Sequence, residues 1–197
     1  MNIEQLYEIY NSHTIISSDT RTIKDGCLFF ALKGDNFNGN KFANDALSKG
    51  AAYAIIDEDE FNSSEKHILV NDVLKTLQQL ANYHRKQLDI PFIGITGSNG
   101  KTTTKEFINS VLSKKYKTTF TQGNLNNHIG VPLTLLSIPK DCDIAIIEMG
   151  ANHMKEIDFL CKIAEPNFGI ITNIGTAHIE GFGSVENIEK TKTELYR

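Results

Sequence analysis

The sequence predicts an α/β protein of two successive domains, the second built on a parallel sheet. Three observations predict it. In the second half, strand-like runs alternate with helix-patterned segments: PFIGIT (91–96), KTTFT (117–121), DIAIIEM (143–149) and NFGIIT (167–172). Three of those runs are almost wholly apolar, as expected of parallel strands covered on both faces. Between PFIGIT and the next helix lies GSNGKTTT, a glycine–lysine–threonine loop at a strand-to-helix junction.

In chain order, MNIEQLYEIYNSH reads as an amphipathic helix with Ile3, Leu6, Tyr7 and Tyr10 on one side. It lacks the basic start and apolar core of a signal peptide. CLFFAL (27–32), AAYAIID (51–57) and HILV (67–70) are strand candidates, and KFANDALSKGA (41–51) a helix that Gly50 stops. Asn71 is the expected cap of a helix reaching about Leu88, with Val73, Leu74, Leu77, Leu80, Ala81 and His84 on its apolar stripe. Pro91 breaks it, and a boundary near residue 89 divides a first domain (1–88) from a second (89–197). The second domain adds helices over Lys101 to Ser113, VPLTLL (131–136), residues 153–166, and from Val185 to the last residue. That last helix, KTKTELYR, meets no stop signal, so the chain is expected to be a fragment of a longer enzyme, its second domain truncated.

Several function classes are excluded by composition. A net charge of −4 provides no basic footprint for nucleic acid. No apolar run approaches the roughly 20 residues of a membrane span. Cys27, Cys142 and Cys161 are far apart and odd in number, matching neither a disulfide framework nor a zinc site. They read as reduced, mostly buried thiols of a cytoplasmic protein.

The glycine loop carries the chemistry. Gly97 and Gly100 let the backbone turn with positive φ and bring amides close to an anion. A helix beginning at Lys101 adds unpaired N–H groups and its dipole. Ser98, Asn99, Lys101, Thr102 and Thr103 complete a phosphate-binding set, in which the lysine reaches terminal phosphates and a threonine hydroxyl ligates magnesium. The usual phosphate loop has a glycine five residues before Gly100. Here that position is Ile95, leaving the shorter form T-G-x-x-G-K-T-T. The short form disfavours a plain P-loop ATPase or GTPase.

With its flanks, this loop resembles the ATP-dependent Mur ligases of peptidoglycan synthesis. TQGNLNNHIGVPLTLL (121–136) is similar to the segment typical of the family branch that adds D-alanyl-D-alanine to UDP-N-acetylmuramoyl-tripeptide. Residues 146–195 are similar to the same family throughout, and residues 17–55 resemble its uridine-nucleotide-binding domain. The resemblance implies a small α/β UDP-binding N-terminal domain followed by a P-loop-type central ATPase domain. It also implies acyl activation by ATP and Mg2+, in a cytoplasmic monomer that inserts into no membrane. Lys101 would serve the β- and γ-phosphates, Thr102 and Glu148 one magnesium, and His178 would lie near the metal. Lys192, fourteen positions after His178, matches the lysine that the family often carbamylates to hold a second magnesium. Asn126 and Asn127 fall where the family meets its muramoyl-peptide substrate, and Asn173 is expected to face the same crevice as a further substrate-binding residue. Thr20, Arg21, Lys33, Gly34, Asn38 and Gly39 fall where it meets uridine diphosphate, although Arg21 could equally pair with Asp19. Two departures stand out. Asp19-Thr20-Arg21 replaces the usual Asp-Ser-Arg, and Asn38-Gly39-Asn40 replaces Asp-Gly-His. The other readings are a Mur-type ligase adding the third stem residue, and a nucleotide-binding module without ligase activity.

Overall fold

The structure, a computed structural model, describes residues 1–177 and 179–197. The chain divides into two compact units, Met1–His84 and Arg85–Arg197.

The first unit opens with α1 (Ile3–Ser12), closed at its start by a capping box in which Asn2 and Gln5 each bond the other's backbone. Its strands are β1 (Ile16–Ser17), β2 (Leu28–Phe30), β3 (Lys33–Gly34) and β4 (Phe37–Asn38), then α2 (Ala43–Ser48), β5 (Tyr53–Ile56) and β6 (His67–Leu69). β1, β2, β5 and β6 form one parallel sheet in that spatial order, and β3 and β4 form a separate antiparallel hairpin. Side chains alternate across a strand. Phe29, Ala31, Ala54 and Ile56 accordingly form one core with Ala43 and Ala46 of α2, while the intervening Leu28, Phe30 and Ile55 are buried on the other side of the sheet. Against α1 stands α3 (Val73–Gln87), where Tyr7 stacks edge-on with Tyr83 and its hydroxyl bonds the buried His84 at 3.1 Å. Asp72, not Asn71, caps α3: its carboxylate accepts from Lys75 N at 2.8 Å, one residue later than expected. The hairpin and β1 were not expected, because two-residue strands carry too little periodicity to read.

The second unit is a parallel sheet in the order β10–β7–β9–β8, made of β7 (Phe92–Thr96), β8 (Thr118–Phe120), β9 (Ile144–Glu148) and β10 (Phe168–Ile171). Its helices are α4 (Lys101–Leu112), α5 (Gly130–Leu136), α6 (Glu156–Ala164), α7 (Ile179–Phe182) and α8 (Val185–Lys192). α4 packs on β7, β8 and β9, and α6 packs on β7 and α5. The central strands β7 and β9 are buried as expected. β10 is not: it is an edge strand, half-exposed, with Phe168 61% exposed. An apolar run marks potential for burial but not position in the sheet. The expected last helix stops at Lys192 and tightens to a 3₁₀ turn over Thr193–Tyr196. There Glu194 turns back to accept from Lys155 N and Asp158 N, satisfying the orphan amides at the start of α6. Among the described residues no helix is long and apolar enough to cross a membrane.

Candidate active site

The C-terminal ends of β7 and β9 are neighbours in the sheet, and the ligand crevice of an open parallel sheet lies at that edge. From β7 the chain enters the glycine loop with Gly97 at φ 146° and Gly100 at φ 76°, then starts α4 at Lys101. A Cβ on Gly97 would lie 2.0 Å from Thr172 Oγ1, so no other residue fits there. Asn173 and Thr172 hold the loop from the end of β10. Asn173 accepts from Asn99 N (3.1 Å) and donates to Asn99 O (3.0 Å), its carbonyl accepts from Ser98 N (3.1 Å), and Thr172 donates to Asn99 O (2.6 Å). Asn173 thus faces the phosphate loop, and both polar ends of its side-chain amide are engaged there.

Lys101 Nζ donates to the loop carbonyls of Gly97 (2.8 Å) and Ser98 (3.2 Å). Burial holds its pKa below the usual lysine value, with Glu148 opposing that shift. Beside it, Thr102 donates to Glu148 Oε2 at 3.1 Å. Glu148 ends β9 and is 1% exposed. Its Oε1 accepts from Asn126 Nδ2 (2.8 Å), and its backbone N–H donates to Thr121 Oγ1 (2.9 Å). The Asn126 amide therefore braces Glu148. Asn127 Oδ1 accepts from Ile129 N and Gly130 N, capping the turn into α5. Thr103 stays exposed on the first turn of α4.

Two residues drawn into this cluster had not been singled out. Thr121 is fully buried, and Lys105, also fully buried, brings its Nζ to 3.5 Å from Glu148 Oε2. A signal for Lys105 did exist. It stands three residues after Thr102 and four after Lys101, on the same helical face, where an apolar residue is the norm.

Lys192, on α8, is 2% exposed, its Nζ 5.5 Å from the centroid of the Phe182 ring. Burial first, and the Lys101 charge second, push its pKa down from 10.5 to about 8. It is thus not one of a row of solvated lysines, whereas its neighbour Lys190 is exposed. The expected metal-side His178 lies outside the described residues.

Thr102 and Glu148 place a hydroxyl and a carboxylate side by side at the phosphate loop. These are hard oxygen donors of the kind magnesium takes while keeping waters and phosphate oxygens as its other ligands. Among the described residues no three histidines, cysteines, aspartates or glutamates converge as an all-protein cage.

In the first unit, Lys33 and Asn38 lie on the β3–β4 hairpin and are drawn to the end of β5. Lys33 Nζ is 3.0 Å from Asp57 Oδ1 and 3.3 Å from Glu58 Oε1, and Asn38 donates to Glu58 at 2.8 Å. Asn40, 1% exposed, donates to Asp57 Oδ1 and accepts from Asp57 N, both at 2.9 Å. Gly34 pairs with Phe37 across the hairpin. A Cβ on Gly39 would lie 2.4 Å from Leu32 O, so this glycine is sterically required. Arg21 grips Asp19 through Nε and NH2, the pairing that was open from the sequence, and holds the Asp19 carboxyl down at about 2. Thr20 bonds Asp45.

Comparison with known proteins follows the same division. Residues 95–197 match the Mur ligase middle domain, and residues 12–85 match a domain described as Mur ligase family, catalytic domain. The UDP-N-acetylmuramoyl-tripeptide--D-alanyl-D-alanine ligase of Bacillus subtilis is 44% identical over 182 residues, covering 91% of this chain and 40% of that protein. The Escherichia coli protein of the same name is 39% identical over 181 residues, covering 92% and 40%. Among solved structures, MurF from Acinetobacter baumannii superposes with a TM-score of 0.89 at 37% identity, over all of this chain and 46% of that one. MurF ligase from Thermotoga maritima in complex with ADP gives 0.84 at 35%, over 93% and 43%. The chain spans about two fifths of the length of the curated relatives it matches.

Proposed function

The chain belongs to the Mur ligase family, and from there we propose that it forms the uridine-nucleotide-binding part (1–88) and the first part of the ATP-binding domain (89–197) of a ligase of peptidoglycan synthesis. The whole protein joins D-alanyl-D-alanine to UDP-N-acetylmuramoyl-tripeptide. The terminal carboxylate of the tripeptide attacks the γ-phosphate of ATP, giving an acyl phosphate and ADP. The amine of D-alanyl-D-alanine then attacks the acyl carbon, phosphate leaves, and the amine loses a proton. The reading includes a monomer in the cytoplasm.

The observation that carries the proposal is the short phosphate loop ending in Lys101 and Thr102, with the Thr102 hydroxyl on the buried carboxylate of Glu148. Charge builds on the transferred phosphoryl group, so a ligase needs positive groups fixed there in advance. Lys101 Nζ exchanges the carbonyls of Gly97 and Ser98 for phosphate oxygens, and the amides at the start of α4 face the same anion. Mg2+, when bound, supplies a further positive centre for the phosphate oxygens, and Thr102 and Glu148 would hold it. Lys192 would provide a second anionic oxygen ligand once its neutral amine has added CO2 and released a proton. A pKa near 8 keeps a usable neutral fraction at neutral pH. In the first unit, Thr20, Arg21, Lys33, Gly34, Asn38 and Gly39 would meet uridine diphosphate. The Arg21 side chain is 86% exposed, so its pairing with Asp19 is weak enough to yield to a phosphate. Asn126, Asn127 and Asn173 would line the muramoyl-peptide side through their backbone and remaining polar groups.

Steady-state ligation by the full-length protein, with UDP-N-acetylmuramoyl-tripeptide, ATP and either D-alanyl-D-alanine or a diamino acid, tests this. Turnover with the dipeptide alone supports it. Turnover with the diamino acid and the corresponding dipeptide precursor would instead identify a ligase adding the third stem residue. For Lys192, the expected signatures are a ¹³C carbamate resonance from ¹³CO2-equilibrated protein and partial rescue of Lys192→Ala by small carboxylates. An amine that stays uncarbamylated in the ATP-bound enzyme removes that part of the reading.

A further inference from the structure

Lys105 has no part in the reaction described above, yet its ammonium is fully buried. Among the described residues its Nζ has no hydrogen-bond partner. Among the described residues the anions near it are Glu148 Oε2 at 3.5 Å and Glu106 Oε1 at 3.6 Å, and the Phe120 ring centroid is 5.7 Å away. Burying an ammonium costs several kcal/mol unless an opposite charge compensates it. A methionine would fill the same space against the sheet without that cost, so the charge must answer to something. The Glu106 side chain is 54% exposed, so water screens it. The Glu148 side chain is 2% exposed, and attraction across 3.5 Å in a dry setting is far stronger. Glu148 needs that attraction, since an uncompensated buried carboxylate is as costly as an uncompensated ammonium.

We propose that Lys105 is a positioning residue for Glu148. It makes burial of the carboxylate tolerable beside the phosphate loop and, with Asn126 on Oε1 and Thr102 on Oε2, fixes the direction in which both oxygens point. Thr102 and Lys105 stand three residues apart on α4, so one helical face brings both to the same oxygen. The helix that starts the phosphate site is thereby tied to the strand end that carries the carboxylate. This rests on the reading of Glu148 as the carboxylate that faces magnesium.

The test uses the full-length protein with Mn2+ and ADP as probes. Mn2+ affinity is read by electron paramagnetic resonance, ADP affinity with and without chelator, and stability by urea denaturation. Lys105→Met is expected to weaken Mn2+ binding in the presence of ADP by about tenfold, while metal-free ADP affinity stays within about twofold. Lys105→Met is also expected to lower the urea midpoint when Glu148 is present, but not in the Glu148→Gln background, where no carboxylate needs the charge. An equal loss of midpoint in both backgrounds, or Mn2+ affinity unchanged in Lys105→Met, overturns the proposal. Should Lys105→Met fail to fold, recovery of the fold in the Lys105→Met/Glu148→Gln double variant supports it, and a double variant as unfolded as the single overturns it. Glu148→Gln alone tests the underlying reading: if it binds Mn2+ as wild type does, the assignment of Glu148 fails, whatever Lys105 does.

Discussion

Lys101, Lys105 and Lys192 are three lysines that the fold buries or half-buries. Lys101 donates to the Gly97 and Ser98 carbonyls, which are poor partners compared with a phosphate. Lys101→Ala in the full-length enzyme is expected to lower kcat by at least about a hundredfold, the usual loss for one preorganised donor, as measured by phosphate release. Lys192 shows the cost of burial through pH. Its folded pKa of about 8 lies below the usual 10.5, so the unfolded chain binds more protons between those values. Stability therefore rises as pH climbs from 8 towards 10.5, and the full penalty is present below 8. Lys192→Met, in CO2-free buffer, is expected to be more stable than wild type at pH 7, by on the order of 3 kcal/mol at most. That advantage fades towards pH 10.5, as urea midpoints measured across the range will show. Wild type and variant keeping a constant difference from pH 7 to 10.5 would rule out the burial account. In the first unit, Asn40→Ala leaves the Asp57 N–H without its partner and leaves Asp57 Oδ1 with Lys33 alone. Removing those buried bonds is expected to cost about 1–3 kcal/mol of stability, measured by chemical denaturation.

Among the elements, the strand–loop–helix from β7 to α4 was readable because its punctuation is local: an apolar strand, two glycines, and a helix start. Gly97→Ala is expected to abolish nucleotide binding in equilibrium titrations, since the new methyl would meet Thr172 Oγ1. The joining of α6 to β10 depends on a residue with no local signature. Arg85 donates to the carbonyls of Ala164 and Glu165 and to Asn167 Oδ1, while its guanidinium lies 3.8 Å from the Phe92 ring centroid. It thereby satisfies the open end of α6 where Glu165 turns left-handed at φ 40°. Arg85→Ala is expected to destabilise the second unit by about 2–4 kcal/mol, with the change seen in thermal melts. Elements of two residues, such as β1 and the β3–β4 hairpin, left no pattern to read. The cap of α3 was misplaced by one residue because Asn71 and Asp72 are both good caps, and only the backbone decides between them.

Across the whole molecule, the two units divide the proposed ligands. Hydrogen exchange of the full-length protein is expected to show protection by Mg2+·ADP over residues 97–105 of the second unit, and protection by uridine diphosphate over residues 20–40 of the first. Protection of both segments by either ligand alone would contradict that division. The α/β class, the parallel order of the second half and the phosphate loop follow from short-range rules: period-two alternation, apolar runs, and glycine where φ must be positive. So does the nomination of Lys101, Thr102 and Glu148, which stand at strand and helix ends that the pattern marks. What Asn126 and Asn173 do with their amides could not be read there. Nor could the burial of Lys105 or the exposure of β10, whose strand is as apolar as its covered neighbours. Each of these depends on which distant segment arrives alongside, Glu148 for Asn126 and Lys105, the loop at Asn99 for Asn173. A side chain's charge and hydrogen-bonding capacity are written in its residue type. Its partner and its exposure to water are set only when strands far apart in the chain have taken their places in the sheet.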